Sequence, residues 1–419
     1  HRDLHYPLRR QRQMCIRDSN YTMIEPIEFT TEHIADNSAK EDFIFRDFLS
    51  TKEPYESLYK NNPWMVAPDF RKPLEWGTGG YWDTTVARKH EYWKKFDLPE
   101  ATKDIHQMRR DFKQWGFCLI EDAMSYEQCR AFRERVLDQG EGEKLAGVAQ
   151  PTPTGQYVNT LINKGDIFGK CIEQDPSAVQ AGPLIEQLMN ETLGKGWICH
   201  SFLSNGADPG GYPQGMHIDQ GPLLPWITEE APALVNTMYI PQDIDEQNGG
   251  TLLIPGSHRI LIDAGSGGAI GELPPTINLE AKAGTIMIFD GRLLHGTGVN
   301  RTNERRIVAT MSNVKAWMRT QENWVLSVAP DVLENASDKL LHRMGLQAVT
   351  YGATVEGFGL GASGRIGDPW GSIKQFRIAN DQGSYCRVRQ LSKESLPEEF
   401  EKPYTLRTAM KSTRDKTSR

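Results

Sequence analysis

Hydrophobic and polar positions change period several times along this chain of 419 residues. In "FKQWGFCLIEDAMSYEQCRAFRERVLDQ" a short apolar run gives way to a helical repeat, with Cys129, Phe132, Val136 and Leu137 on one face. Ser125 can cap that helix, and Gln128 stands three residues on, as a capping box requires. A second amphipathic segment, "GPLIEQLMNETLG", precedes the strand-like runs "WICHSFL", "ALVNTMYI", "GTLLIPGSH", "GTIMIFD" and "RRIVATMSNV". Gly and Pro turns separate these runs. Between Gly211 and Val314 no helical segment is long enough for a βαβ crossover, so the order predicts an antiparallel sandwich or barrel with helices on its N-terminal side.

Outside this region the periodicity is weak. Residues 1–19 are basic, lack the apolar stretch of a secretory signal, and resemble translated sequencing-adapter sequence, so they are set aside from fold reasoning. Their arginines leave a mitochondrial targeting reading open, against which Asp3 and Asp18 count. Residues 20–103, rich in aromatics, Pro and Gly, read as an irregular extension packed on a core at 104–345. Residues 346–419 read as a C-terminal extension with Gly-rich turns and a basic, solvated tail. The Gly-rich insertion "ILIDAGSGGAIGELPPTIN" is a loop of the kind that lies over active sites. As a phosphate cradle it is weak, because it runs into Pro-Pro instead of opening a helix.

Composition narrows the class. A formal net charge of -7 argues against a general nucleic-acid surface, and the absence of a long apolar run argues against a membrane span. The six cysteines show neither CxxC spacing nor the density of a secreted disulfide scaffold, so reduced thiols in a cytoplasm are expected. A small-molecule partner fits these features; they do not define an oligomeric state.

The chemistry concentrates at two places. In "GYPQGMHIDQ", His217 and Asp219 are two apart, and along a strand such residues project from one face. An imidazole and a carboxylate so placed can share one ion, although an isolated HxD is more often a surface His beside a turn Asp. In "TIMIFDGRLLHGTGVN" an apolar strand delivers His295 into a Gly-rich turn, and "NRTNERRIVATM" places Arg306 at the start of another strand. Two histidines, a carboxylate and a later arginine are the parts of a non-haem Fe(II) site with an oxoacid co-substrate. Such a triad leaves octahedral positions open, and a guanidinium fork suits the distal carboxylate of 2-oxoglutarate. Thr297 can add a hydroxyl. His258 reads as a turn residue, His200 as a core or pocket residue, and Asp290 with Arg292 as a turn ion pair or as partners of the site.

"NTMYIPQDIDEQN", "GGTLLIPGSHR" and "HGTGVNRTNERR", in that order, resemble the phytanoyl-CoA dioxygenase family of Fe(II)- and 2-oxoglutarate-dependent oxygenases, from about Arg109 to about Met344. The resemblance implies an α+β, mainly β fold: a double-stranded β-helix (jelly-roll, cupin-like) core with flanking helices. It implies His217, Asp219 and His295 as iron ligands, with Arg306 and Thr297 holding 2-oxoglutarate. Gln214 corresponds to a glutamine at the keto-acid end in some members. Asn159 is a further candidate, with Asn163 and Lys164 equally open. The implied reaction uses O2 and releases succinate and CO2 while a small organic metabolite is oxidised, most simply hydroxylated. Halogenating members have a small residue where Asp219 stands. The rival readings are a jelly-roll zinc hydrolase or isomerase, which has no evident need for Arg306 and Thr297, and a non-catalytic jelly-roll binding protein. The extensions are extra to the family core, so coenzyme A thioesters do not follow from the motif.

Overall fold

The computed structural model describes residues 93–152, 154–209, 214, 216–220, 231–259, 276–298, 300–346 and 389–394. The leader 1–19, the extension as far as 92, most of the Gly-rich insertion and nearly all of the chain after 346 lie outside the described residues.

Helix α1 (Ile105–Trp115) begins at Asp104, whose carboxylate accepts from the His106 N–H, and stops at Gly116 in the left-handed region. Glycine is required there twice over. Its φ is +81°, and a Cβ would come within 2.5 Å of the His258 imidazole. The chain turns directly into β2 (Phe117–Ile120), which pairs in parallel with the short β1 (Ala101–Thr102). Helix α2 (Tyr126–Leu145) carries the expected capping box between Ser125 and Gln128 and buries Cys129, Phe132 and Val136. Then come β3 (Gln150–Pro151), β4 (Gly155–Val158), α3 (Asp166–Ile172) and α4 (Gly182–Thr192).

The remaining described strands follow: β5 (Ile198–Ala207), β6 (Leu234–Tyr239), β7 (Thr251–Leu253), β8 (Ile277–Asn278), β9 (Ile286–Asp290), β10 (His295–Thr297) and β11 (Arg306–Val314). Short helices α5 (Trp324–Ser327), α6 (Pro330–Asn335) and α7 (Asp338–Arg343) end the described core. Eight strands form one sheet in the order β1-β2-β9-β6-β11-β5-β4-β3, and three form a second, β10-β7-β8. Apart from β1 with β2, the described strand pairs are antiparallel. The N-terminal part supplies strands as well as helices: β2 extends the large sheet by pairing with β9.

Alternation along the strands sorts the large sheet into two faces. Ile286 and Ile288 of β9, with Ile307, Ala309 and Met311 of β11, pack against the helices with Phe132, Phe168 and Phe202. Met287, Phe289, Met238 and Val308 point the other way, into a second core with Leu253 and Ile277 of the small sheet. The space between the two sheets holds the chemistry. The tryptophans Trp93, Trp115, Trp197 and Trp324 are core residues, while Trp317 is exposed.

Candidate metal centre and its surroundings

His295 opens β10, where it faces Leu253 of β7. On its other side it makes a reciprocal bridge to His217: the His217 N–H donates to the His295 carbonyl at 2.9 Å, and the return bond is 3.0 Å. The two imidazole centroids are therefore 4.4 Å apart. A strand continuing through the HxD motif is not what the structure shows. Regular pairing stops at His217, and Asp219 sits in a bend whose N–H donates to the Gly291 carbonyl at 2.9 Å. This bend, rather than pleat alternation, brings the carboxylate round to the imidazoles.

Each carboxylate oxygen faces one ring. Asp219 Oδ1 is 3.4 Å from His217 Nε2, and Oδ2 is 3.4 Å from His295 Nε2. One donor atom from each residue lies within 4.8 Å of the others. The Nδ1 of His295 is 2.9 Å from the Leu293 carbonyl, which requires the proton on Nδ1 and leaves the Nε2 lone pair facing the centre. Asn236 of β6 donates to Asp219 Oδ2 at 2.8 Å and accepts from Ser312 of β11 at 2.6 Å. Gln220 ties the segment to β6 by accepting from the Ala233 and Leu234 N–H groups at 2.9 and 3.1 Å. Burial by itself would raise the carboxyl pKa of Asp219; the two imidazoles, when protonated on the nitrogens that face it, outweigh burial and hold the group below the usual carboxylate range.

Asp290 and Arg292, at the turn that delivers His295, form a bidentate pair of 2.6 and 2.8 Å with both side chains almost wholly buried. The pair shapes the turn and lies outside the triad. His258 is also outside it: buried against Gly116, with burial bringing its pKa down to about 4. His200 sits where the β5–β11 register shifts, and its Nδ1 accepts from the Gln321 N–H at 3.0 Å.

A second polar group of residues is built around Thr297, two residues after His295 on β10. Thr297 Oγ1 donates to Gln214 Oε1 at 3.2 Å and accepts from Asn205 Nδ2 at 3.1 Å. Gln214 Nε2 donates to the Tyr157 hydroxyl at 3.3 Å. Arg306 is fully buried. Its Nη2 donates to the Gly249 carbonyl, while Nε and Nη1 have no hydrogen-bond partner among the described residues. Burial lowers its pKa to about 10. Arg305 points to the opposite face, where Asp208 and Gln156 take its donors. Asn159 is not brought into this group: its amide donates to Gln150. Asn163 is committed to Ser327 and Ala329, and Lys164 to Glu143 at 2.9 Å.

The donor set fits the cofactors it would have to hold. Two imidazoles and one carboxylate suit ferrous iron, and a buried guanidinium with two unmet donors is matched to an anion. A cleft of 710 Å³, lined by Lys103, Ser125, Arg130 and Gln180 among others, shares no residue with this site.

Sequence reasoning did not reach Tyr157, Asn205, Asn236 or Ser312. Asn236 and Ser312 left a signal, as polar residues interrupting the apolar runs "ALVNTMYI" and "RRIVATMSNV". Tyr157 left none.

The chain is 27% identical over 265 residues to the dioxygenase af480 of Aspergillus fumigatus, covering 60% of this chain and 80% of that protein. It is 24% identical over 285 residues to the multifunctional dioxygenase ausE of Aspergillus calidoustus, covering 63% and 90%. Among solved structures it aligns with the non-heme alpha ketoglutarate dependent carbocyclase SnoK from nogalamycin biosynthesis, at 17% identity and a TM-score of 0.41, over 52% of this chain and 88% of that one. The sequence pattern of phytanoyl-CoA dioxygenase matches residues 112–308, a span containing His217, Asp219, His295 and Arg306. Residues 112–308 belong to the phytanoyl-CoA dioxygenase family of Fe(II)- and 2-oxoglutarate-dependent oxygenases.

Proposed function

We propose that this enzyme, a 2-oxoglutarate-dependent non-haem iron dioxygenase, hydroxylates a small organic metabolite in the space between the two sheets. The observation that carries the reading is Arg306, a buried guanidinium with two donors unmet among the described residues, set in the same inter-sheet space as a two-histidine, one-carboxylate cluster. A zinc hydrolase or isomerase using the same triad has no need of that arginine, and a binding protein has no need of the triad.

In this reading His217, Asp219 and His295 hold the iron. Arg306 and Thr297 grip the distal carboxylate of 2-oxoglutarate, and Gln214 orients its keto-acid end. Bound iron and 2-oxoglutarate supply the activation of O2, with oxidative decarboxylation to succinate and CO2. His295 keeps its proton on Nδ1, so Nε2 is available as a donor atom throughout. Asn236 holds Asp219 in one orientation, and the apolar wall of Phe289 and Met238 keeps bulk water from the site. Residues 104–345 form the catalytic core, which we take to be a double-stranded β-helix, with the extensions flanking it. Asp219 occupies the position that halogenating relatives leave to a small residue, so hydroxyl transfer is the expected outcome.

Anaerobic addition of Fe(II) and then 2-oxoglutarate to the purified protein tests the assignment. A weak visible charge-transfer band appearing only with both is expected. Stoichiometric metal binding without the band, together with hydrolysis and no succinate under O2, would instead favour the zinc reading.

A further inference from the structure

Tyr157 lies on β4 opposite Asn205 of β5, and Asn205 in turn faces Val308 of β11. Strand partners share a face, so the ring of Tyr157 projects from the side of the large sheet that carries Val308 and faces the small sheet. Its hydroxyl closes a directed series of hydrogen bonds. Asn205 donates to Thr297, Thr297 donates to Gln214, and the other end of the Gln214 amide donates to the Tyr157 oxygen. Every donor in this series has an acceptor until the last. A phenol both accepts and donates, and the Tyr157 O–H finds no acceptor among the described residues. Tyr157 as a whole is partly buried.

The location within the site is informative. Tyr157 is held by Gln214, three residues before His217, and the same Gln214 side chain accepts from Thr297, two residues after His295. Burial, with the charge of Asp219 adding to it, pushes the phenol up to about 12, so it stays a protonated donor at neutral pH. A neutral donor bonded to Gln214, the residue read above as orienting the keto-acid end, suits an oxygen of a bound 2-oxoacid.

We infer that Tyr157 is a co-substrate-binding residue, whose hydroxyl donates a hydrogen bond to the keto-acid end of 2-oxoglutarate. The inference rests on the oxygenase reading above and assigns a role to a residue that neither the motif nor the triad includes. It divides the co-substrate between two ends: Arg306 and Thr297 take the distal carboxylate, while Tyr157 and Gln214 take the end that meets the iron.

Two 2-oxoacids separate the ends. Pyruvate keeps the keto-acid group and lacks the distal carboxylate. The Fe(II)-loaded protein and its Tyr157→Phe variant are titrated anaerobically with 2-oxoglutarate and with pyruvate, and the charge-transfer band is followed. Tyr157→Phe keeps the ring and removes only the hydroxyl. It should bind Fe(II) as the parent does and lose affinity for both acids by a similar factor, about tenfold. A loss confined to 2-oxoglutarate would place Tyr157 at the distal end and overturn the proposal. A change below twofold for both acids, or loss of Fe(II) binding, would do the same. If the parent protein itself forms no band with 2-oxoglutarate, the oxygenase reading fails first, and the two failures are not confused.

Discussion

Arg306→Met offers the sharpest perturbation, because it removes a buried charge with no ion-pair partner among the described residues. Holding a guanidinium where its pKa falls to about 10 costs its charged form on the order of 3 kcal/mol. The contact to the Gly249 carbonyl offsets part of that. A bound carboxylate facing Nε and Nη1 would add charge-assisted hydrogen bonds worth about 1.5–3 kcal/mol. Losing them should weaken 2-oxoglutarate binding by roughly 10- to 100-fold, at about 1.4 kcal/mol per factor of ten. Thermal unfolding of the Fe(II)-loaded protein under argon reads this directly. At 2-oxoglutarate 100-fold above its Kd the parent gains about 2.7 kcal/mol, whereas a variant binding 100-fold more weakly gains only about 0.4 kcal/mol at the same concentration. Without 2-oxoglutarate the variant should be no less stable than the parent, since a buried unpaired charge contributes no stability. Arg305→Ala is the control: it breaks the pair with Asp208 on the other face and should lower stability while leaving the response to 2-oxoglutarate intact. The reverse ranking, with Arg305→Ala abolishing the response and Arg306→Met leaving it, would refute the reasoning.

Further expectations concern the metal and the pH response. His217→Ala and His295→Ala should each abolish stoichiometric Fe(II) binding in an anaerobic titration, and full occupancy in both would remove the metal assignment. Asn236→Leu leaves Asp219 Oδ2 without its donor and Ser312 without its acceptor, and should weaken Fe(II) binding by about 10- to 100-fold. His258 has its pKa lowered to about 4 by burial, so the unfolded chain takes up its proton before the folded one does. Its contribution to stability is whole above about pH 6.5 and is lost as pH falls towards 4. Denaturant melts across that range should show a flatter acid slope in His258→Gln than in the parent; parallel slopes would contradict it. Once a substrate is known, turnover in high chloride under 18O2 should give a product carrying labelled oxygen, and a chlorinated main product would contradict the role given to Asp219.

The order of elements was legible wherever local physics decides it. The capping box at Ser125 and Gln128 depends on residues three apart, and the apolar runs of β5, β6, β9 and β11 depend on their immediate neighbours. The candidate ligands stood out for a related reason: HxD, the His before a Gly-rich turn and the following Arg are short strings whose chemistry is rare in combination. Pairing and register are not local. That His217 meets His295 across a single bridge, and that Asp219 reaches both through a bend held by Gly291, follows from which backbones come together, and no short window of sequence contains both partners. The same holds for Asn236, Ser312 and Tyr157. Each is an ordinary polar residue in its own segment, and only the register β6·β11·β5·β4 places them around one centre. The two faces of β11 show the division most plainly. Alternation alone sends Arg305 and Arg306 apart, but only the tertiary structure sets Asp208 beside the first and leaves the second with two donors unmet.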